Sequence, residues 1–179
     1  PVKTLVKKIA YMGMPAVAIT DSGNAFGAME FSLECIKAGV QPIIGTRILL
    51  GDEEYHLILL VQSEQGYLNL SELLTQSFLQ SDGTNKPRIT WDMLNAHSEG
   101  LICLSAGVRG PIGQHLLHRQ PDQAAEKLDM LHRIFGDRLY IEIQRHNTSE
   151  ENQIEEGLIT LAYEKNIPLV ATNDCYFPS

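Results

Sequence analysis

The sequence predicts an α/β fold whose sheet is largely parallel, arranged either as a barrel or as an open sheet. Two observations carry this prediction. Segments with strand character alternate with helical segments through most of the chain, which is the pattern of α/β proteins. Three strands are short continuous apolar runs, AVAIT, LICLS and PLVAT, as expected for strands covered on both faces. The length of 179 residues suits one domain, so we expect a single domain over residues 1–179.

The elements of the first half follow from helical spacing, apolar runs, and glycine or capping positions. The predicted elements are, in order, a helix over 4–12 that ends at Gly13, a strand over 16–20, a helix over 25–38 that ends at Gly39, strands over 41–50 and 55–62, and a helix over 64–80 with Ser63 as N-cap. The two adjacent strands are joined by GDEE, so we expect them to form a hairpin.

The second half continues the alternation of helices and strands. The predicted elements are a loop over 81–87, a short helix within 89–97 with Thr90 as N-cap, a strand over 100–106, helices over 111–119 and 121–136, a strand over 138–146, a helix over 149–166 capped at Ser149, and a strand over 167–174. The chain starts at Pro1 and both ends look cut, so we expect it to be an excerpt of a longer protein.

Composition restricts the classes of function. The net charge of −8 argues against broad, non-specific binding of phosphate backbones, which needs clustered Lys and Arg. Three widely spaced cysteines, with no C-x-x-C pair, do not suggest a disulfide framework. No signal peptide or membrane-spanning run is evident. These features predict a cytoplasmic protein that does not bind a membrane.

In barrels and open α/β sheets alike, the functional site lies at the carboxyl ends of the strands. Five polar loops of this chain follow predicted strands and would meet at that rim: Thr20-Asp21-Ser22, Gly45-Thr46-Arg47, Ser105-Ala106-Gly107, Glu142 to His146, and Thr172-Asn173-Asp174.

Two interpretations of this rim remain open from the residues alone. Asp21 and Asp174 could hold a divalent cation, with His146 as an imidazole ligand. Alternatively, Asp21 begins an Asx-type turn before Ser22 and caps the next helix, and His146 is a surface histidine on a loop. The structural interpretation is the commoner one for a lone Asp in such a turn.

The other histidines, cysteines and known sequence motifs give weaker evidence for a functional site. His115 and His118 are spaced three apart on a predicted helix, but no third ligand is evident, so a solvated face is expected. Cys35 is expected in the core, and Ser105 lacks the G-x-S-x-G setting of a nucleophile. No phosphate-binding loop and no dinucleotide fingerprint occur. Composition and residue spacing alone therefore predict no more than an α/β domain with a candidate weak metal site.

Several strings in one order resemble a known family. KKIAYMGMPAVAITDSGNAFGAMEF is similar to the family's pattern around T-D-H-G-N, and it is followed by AGVQPIIGTR, LILLVQSEQGYLNLSELLTQSF, EGLICLSAG, LYIEIQRH and EEGLITLAYEKNIPLVATND. The chain thus resembles the PHP (polymerase and histidinol phosphatase) domain at the N-terminus of the alpha subunit of bacterial DNA polymerase III. The resemblance implies a distorted (β/α)7 PHP-type barrel, incomplete at the N-terminal strand and at the C-terminus, with a site at the carboxyl rim.

Metal-binding members of this family hold a cluster that supports phosphoester hydrolysis, and the resemblance fails at several of those ligands. Their H-x-H strand would precede Pro1. The histidine of T-D-H is Ser22, the glutamate of G-x-E is Arg47, the cysteine of L-S-G-C is Gly107, and the histidine of T-N-D-x-H is Tyr176. Asp21, His146 and Asp174 remain. We therefore expect a degenerate rim without catalytic residues, metal or cofactor, in which Arg47 pairs with Asp21 or Asp174.

The resemblance leads to two hypotheses of different classes. In the first, the segment is a non-catalytic domain that stabilises a replicative polymerase and docks its proofreading exonuclease subunit; DNA and Mg would belong to the parent polymerase. In the second, it retains zinc- or manganese-dependent phosphoesterase or 3′–5′ exonuclease activity. Nucleotidyl transfer needs palm carboxylates that this segment does not contain, so no residue here is assigned to it.

Overall fold

The computed structural model describes residues 2–81 and 86–173. The helices are α1 (Val2–Tyr11), α2 (Ala28–Ala38), α3 (Glu64–Leu79), α4 (Trp91–Ala96), α5 (Pro111–Leu117), α6 (Pro121–Phe135) and α7 (Ser149–Lys165). The strands are β1 (Ala16–Ser22), β2 (Gln41–Leu50), β3 (Tyr55–Val61), β4 (Leu101–Leu104), β5 (Leu139–Ile143) and β6 (Leu169–Ala171). Short 3-10 turns cover Gly107–Arg109 and Gly136–Arg138. The alternation of strands and helices predicted from the sequence is confirmed.

The six strands form one sheet whose spatial order follows the order in the chain, β1 to β6. β1 is parallel to β2, β4 to β5, and β5 to β6, whereas β3 is antiparallel to both of its neighbours. The predicted hairpin between β2 and β3 is therefore formed, and five of the six strands point in one direction. The sheet is an incomplete barrel, as the fold prediction requires.

The apolar core has two parts on the helix-covered side of the sheet. The larger part contains residues of β2 to β5 packed against helices α3 to α7, with Leu57, Leu59, Leu128 and Phe135 almost fully buried. The smaller part joins α1 and α2 to the first strands around Val6, Phe31, Cys35 and Val40. Cys35 lies in this core, as predicted. None of the helices described is both long enough and apolar enough to cross a bilayer.

Helix α3 is fixed to the sheet by its G-Y-x-N-L segment. A Cβ added at Gly66 would lie only 1.9 Å from the carbonyl oxygen of Gly100, so only glycine allows this approach. Asn69 donates from Nδ2 to the Glu99 carbonyl at 2.8 Å, and Ser63 caps the helix by accepting from Gly66 N at 3.2 Å. The motif thus docks the first turns of α3 onto the turn before β4.

Several predicted boundaries of strands and helices are wrong by a few residues. β1 continues to Ser22 because it pairs with β2 as far as Ser22 and Arg47, and α2 begins at Ala28 instead of 25. β5 ends at Ile143 and β4 at Leu104, both earlier than expected. The N-cap of α7 is Thr148 instead of Ser149, whereas Ser63 and Thr90 cap as predicted.

Candidate functional site at the carboxyl rim

The concave face of the sheet lines a cleft of about 1170 Å³ at the rim predicted from the sequence. Residues from β1, β2, β3 and β5 and from the loops after β4, β5 and β6 contribute to its wall. Polar and charged side chains that line the cleft include Ser22, Arg47, His56, Glu142, His146 and Thr172. Four of the five predicted loops therefore converge here through described residues, and the fifth does so through Thr172 and Asn173; Asp174 and Tyr176 lie outside the described residues.

Asp21 and Ser22 point to opposite faces of the sheet, because neighbouring side chains alternate along a strand. The Asp21 carboxylate lies beside α2, since a Cβ added at Gly27 would be 3.2 Å from its Oδ2. Ser22 points into the cleft, where its Oγ meets the Arg47 guanidinium. The serine thus occupies the cleft position at the end of β1, and the aspartate supports the helix side.

The turn after β1 is organised by Asn24 and not, as expected, by Asp21. Asn24 donates from Nδ2 to the Ser22 carbonyl at 2.9 Å and accepts from Phe26 N at 3.2 Å, which makes it the Asx residue. The N-cap position of α2 is Gly27, so the helix begins without a side-chain cap from that residue. Thr46 Oγ1 donates to the Asp21 carbonyl at 2.7 Å and fixes the turn to β2. The expected Asx and capping roles of Asp21 are therefore wrong.

Arg47 reaches across from β2 to the end of β1. The register pairs Arg47 with Ser22, and the guanidinium donates to Ser22 Oγ from Nε at 3.2 Å and from Nη2 at 2.9 Å. The ion pairs formed among the described residues do not join Arg47 to Asp21, so that half of the expected pairing is wrong. The other half, Arg47 with Asp174, falls outside the described residues.

His146 is held at the start of α7 by Glu151. Its Nδ1 lies 2.6 Å from Glu151 Oε1, and its backbone N–H donates to Oε2 at 2.7 Å. Glu151 also completes a capping box with Thr148. Burial raises the pKa of the Glu151 carboxyl, but hydrogen bonds from His146 and Thr148 outweigh burial and leave that pKa lowered. One ring nitrogen of His146 is thus engaged in a structural contact at the helix start.

Glu142 is a buried rim carboxylate to which sequence reasoning gave no role. It is 4% exposed, accepts from Thr172 Oγ1, and lies 3.4 Å from Gln144 Nε2. Its backbone N–H donates to Ser105 Oγ at 2.9 Å, so Ser105 links two strands and is not a nucleophile candidate. The available signal was one acidic residue within the apolar run LYIEI, because such a residue is rarely buried without partners.

Two further basic groups line the cleft beside Arg47. His56 lies on β3, and its buried Nδ1 has no hydrogen-bond partner among the described residues. Arg109 lies at the end of the turn after β4. Burial lowers the pKa of His56, and the charges of Arg47 and Arg109 lower it further. The neutral form of the imidazole is therefore favoured beside Arg47 and Arg109, although carboxylates such as Glu142 line other parts of the same cleft.

Gly107 stands at the start of the turn after β4, where the resemblance placed a cysteine. Its φ is +50°, and a Cβ added there would lie 3.3 Å from Gln144 Oε1. His118 is exposed, as expected, whereas His115 is half-buried, because it contacts Tyr55 Oη at 3.0 Å and Gln120 Oε1 at 2.9 Å. Gly107 therefore supplies no sulfur ligand, and His115 is engaged away from the other rim groups; His56 is the additional imidazole that the structure brings to the cleft.

The model of the PHP domain family matches residues 1–146 of the chain. The chain belongs to the PHP domain family. This PHP domain is 43% identical over 96% of its length to DNA polymerase III subunit alpha of Caulobacter vibrioides, and 35% identical over 98% to that of Borreliella burgdorferi. In each case it spans 16% of the relative's length.

Two solved structures share the fold. A putative metal-dependent phosphoesterase from Bifidobacterium adolescentis superposes with a TM-score of 0.57 at 15% identity, covering 97% of this chain and 81% of that one. An amidohydrolase from Chromobacterium violaceum, solved with bound sulfate and no metal, gives a TM-score of 0.60 at 11% identity with the same coverage. At these identities the likeness establishes the architecture alone.

The donors among the described residues of this PHP domain do not form the metal cluster that the family implies. Within residues 2–81 and 86–173, no three His, Cys, Asp or Glu side chains come together as ligands for an ion. Asp21 faces α2, and His146 Nδ1 faces Glu151. A guanidinium occupies the cleft beside Ser22, and a cation at that point repels a metal ion.

Proposed function

We propose that this chain is the PHP domain of a bacterial replicative DNA polymerase III alpha subunit and that its rim is non-catalytic. It would stabilise the cytoplasmic polymerase and dock the proofreading exonuclease subunit. Its identity to alpha subunits over nearly its whole length supports the first part. DNA binding, nucleotidyl transfer and Mg belong, in this proposal, to the rest of the polymerase.

The contact between Arg47 and Ser22 is the observation that carries the non-catalytic assignment. Arg47 cannot lose its proton under ordinary conditions, so its charge is permanent. It donates from two nitrogens to a hydroxyl at the end of β1, where metal-binding relatives are expected to place imidazole and carboxylate ligands. The guanidinium therefore joins β1 to β2 by hydrogen bonds and supplies the positive charge that a metal would bring.

The alternative function is a metal-dependent phosphoesterase or 3′–5′ exonuclease activity at the same rim, with Zn or Mn. One contact favours it: Glu151 binds His146 Nδ1, the arrangement in which a carboxylate orients an imidazole whose other nitrogen binds a metal. Glu151 is equally explained by the capping box of α7, which needs the same carboxylate.

Hydrolysis assays separate the two functions. The full-length protein is incubated with a phosphodiester substrate and with 3′-recessed DNA, in the presence of added Mn or Zn, beside the variants Asp21→Ala and His146→Ala. We expect no metal-dependent hydrolysis above background in any of the three. Hydrolysis that needs the metal and is lost in both variants would establish the alternative.

Docking is tested separately with the purified exonuclease subunit of the same organism. We expect co-elution of the two proteins in gel filtration and loss of co-elution when residues 1–179 are deleted from the polymerase. Retained co-elution after this deletion would remove the docking role and leave the non-catalytic assignment unaffected.

A further inference from the structure

Helix α2 is apolar on two opposite faces. One face carries Phe31 and Cys35, which are fully buried against α1 and the first strands. The opposite face exposes Met29, Leu33 and Ile36, with exposed fractions of 73%, 49% and 68%. A surface helix normally has one apolar face, which packs on the core, so a second apolar face that no described residue covers needs a partner.

The apolar stripe of α2 is preceded in the chain by further exposed hydrophobic residues. Phe26, which is 88% exposed, precedes the helix and continues the stripe with the spacing i, i+3, i+7, i+10. Seven of the thirteen exposed large hydrophobic side chains of the described residues lie between Tyr11 and Ile36. Contiguous apolar surface of this kind marks an interaction site, whereas single exposed apolar residues do not.

The charge beside this stripe is opposite to that of the molecule. Helix α1 contains Lys3, Lys7 and Lys8 and no carboxylate, and Lys3 and Lys7 lie close enough to Glu34 of α2 to lower the pKa of its carboxyl, after the larger effect of Lys37. The three α1 ammonium groups form no ion pair with any described residue. The whole chain, by contrast, has a net charge of −8.

We infer that the surface formed by the α2 stripe (Phe26, Met29, Leu33, Ile36) and the α1 lysines docks an amphipathic helix with acidic flanks. The stripe packs against the apolar face of the incoming helix, as in helix-in-groove recognition, and the lysines form ion pairs with its carboxylates. An extended anionic surface, such as a membrane or DNA, would face the other acidic surfaces of the chain as well. A single helix meets only the charges of α1 and α2, where four lysines outnumber Glu30 and Glu34, so the observations favour the helix.

Two designed peptides test this inference by fluorescence anisotropy on the full-length protein. Both are helical with leucines spaced i, i+3 and i+7; one has glutamates on its flanks and the other has lysines. We expect the glutamate peptide to bind about tenfold tighter than the lysine peptide, and Lys7→Glu to reverse the preference. Equal binding of the two peptides, or no binding of either, would overturn the inference.

Matched variants locate the binding surface. Leu33→Ser on α2 should weaken binding of the glutamate peptide about tenfold. Leu68→Ser, at a leucine of α3 with 56% exposure, should leave binding unchanged, and thermal unfolding of both variants confirms that they fold. Equal losses in the two variants would contradict the assigned surface. Tighter, Leu33-dependent binding to phosphatidylglycerol vesicles than to the peptide would replace the helix by a membrane. The inference stands or falls independently of metal binding at the rim.

Discussion

Arg47 Nη2 lies 2.9 Å from Ser22 Oγ at the carboxyl end of β1, and this contact sets the chemistry of the cleft wall. A hydroxyl oxygen readily accepts a hydrogen bond from a guanidinium, but a neutral hydroxyl is a much weaker ligand for a divalent ion than an imidazole nitrogen. The strand register brings the two side chains together, so a change at either position acts on both the electrostatics of the cleft and the joint between β1 and β2.

Arg47→Glu should lower the free energy of unfolding by about 0.5–1.5 kcal/mol, because it removes the solvent-exposed hydrogen bonds from the guanidinium to Ser22. Urea unfolding of the full-length protein measures it. The matched control is Arg133→Glu on the exposed surface of α6, which should change stability by less than about 0.5 kcal/mol. Equal stability of Arg47→Glu and wild type would show that Arg47 does not hold the rim together.

His56 makes stability depend on pH near neutrality. Its pKa lies below the ordinary value of 6.5 in the folded state, so the unfolded chain binds this proton more readily. Stability is therefore complete above pH 6.5 and falls as the pH drops toward the lowered folded pKa. His56→Gln should make the urea midpoint change less with pH across this range. His118→Gln, at the exposed C-cap of α5, should leave the pH dependence as in wild type. An unchanged pH dependence in His56→Gln would contradict the assignment.

At the residue scale, the sequence could predict the location of the rim but not the direction of each side chain. Thr20 to Ser22 were expected at the strand end, and they lie there. Whether Asp21 or Ser22 points into the cleft depends on how far β1 pairs with β2, and the pattern AVAIT suggested an earlier end. Glu142 was not assigned a role because its partner Thr172 lies 30 residues further along the chain.

At the scale of elements, helix ends are decided by local side-chain contacts that sequence spacing partly reveals. The capping residues Ser63 and Thr90 were predicted from spacing and are confirmed. Ser149 was chosen for α7, although Thr148 has Glu151 three residues later, which is the signature of a capping box. The box was therefore readable in the sequence, and the error was in choosing between adjacent hydroxyl residues.

Glu151 should make α7 sensitive to acid. Because its folded pKa is lowered from 4.5, its contribution to stability is present above pH 4.5 and is lost as the pH falls through the folded value. Glu151→Gln should therefore reduce stability at neutral pH and reduce the loss seen in acid, measured by urea unfolding. The control Glu156→Gln, on the same helix, should retain the wild-type profile. An identical profile for Glu151→Gln would exclude this role.

Gly66→Ala should destabilise the protein by about 1–3 kcal/mol or more, because the added methyl group would overlap the Gly100 carbonyl and force α3 away from β4. Ser71→Ala, on the exposed side of the same helix, is the matched control and should stay near wild type. Thermal unfolding measures both. A Gly66→Ala protein as stable as the control would mean that the close approach does not fix the helix.

At the scale of the whole molecule, five strands point one way and place their carboxyl ends around one cleft, while β3 reverses the chain. Continuous apolar strands and regular alternation were enough to predict a largely parallel sheet, but left open whether it forms a barrel or an open sheet. They could not predict the amount of curvature, or which polar groups meet inside the cleft, because both depend on pairings between residues far apart in the chain. The sequence likewise predicted α2 as a helix but not that one of its apolar faces is exposed.

The metal content of the purified full-length protein tests the central claim, that a guanidinium stands in place of a metal at this rim. The protein is equilibrated with Zn and Mn, desalted without chelator, and analysed by elemental mass spectrometry. We expect far less than one rim-bound ion per chain, with the same content in Asp21→Ala and His146→Ala. One or more Zn or Mn ions per chain, lost on His146→Ala, would contradict it.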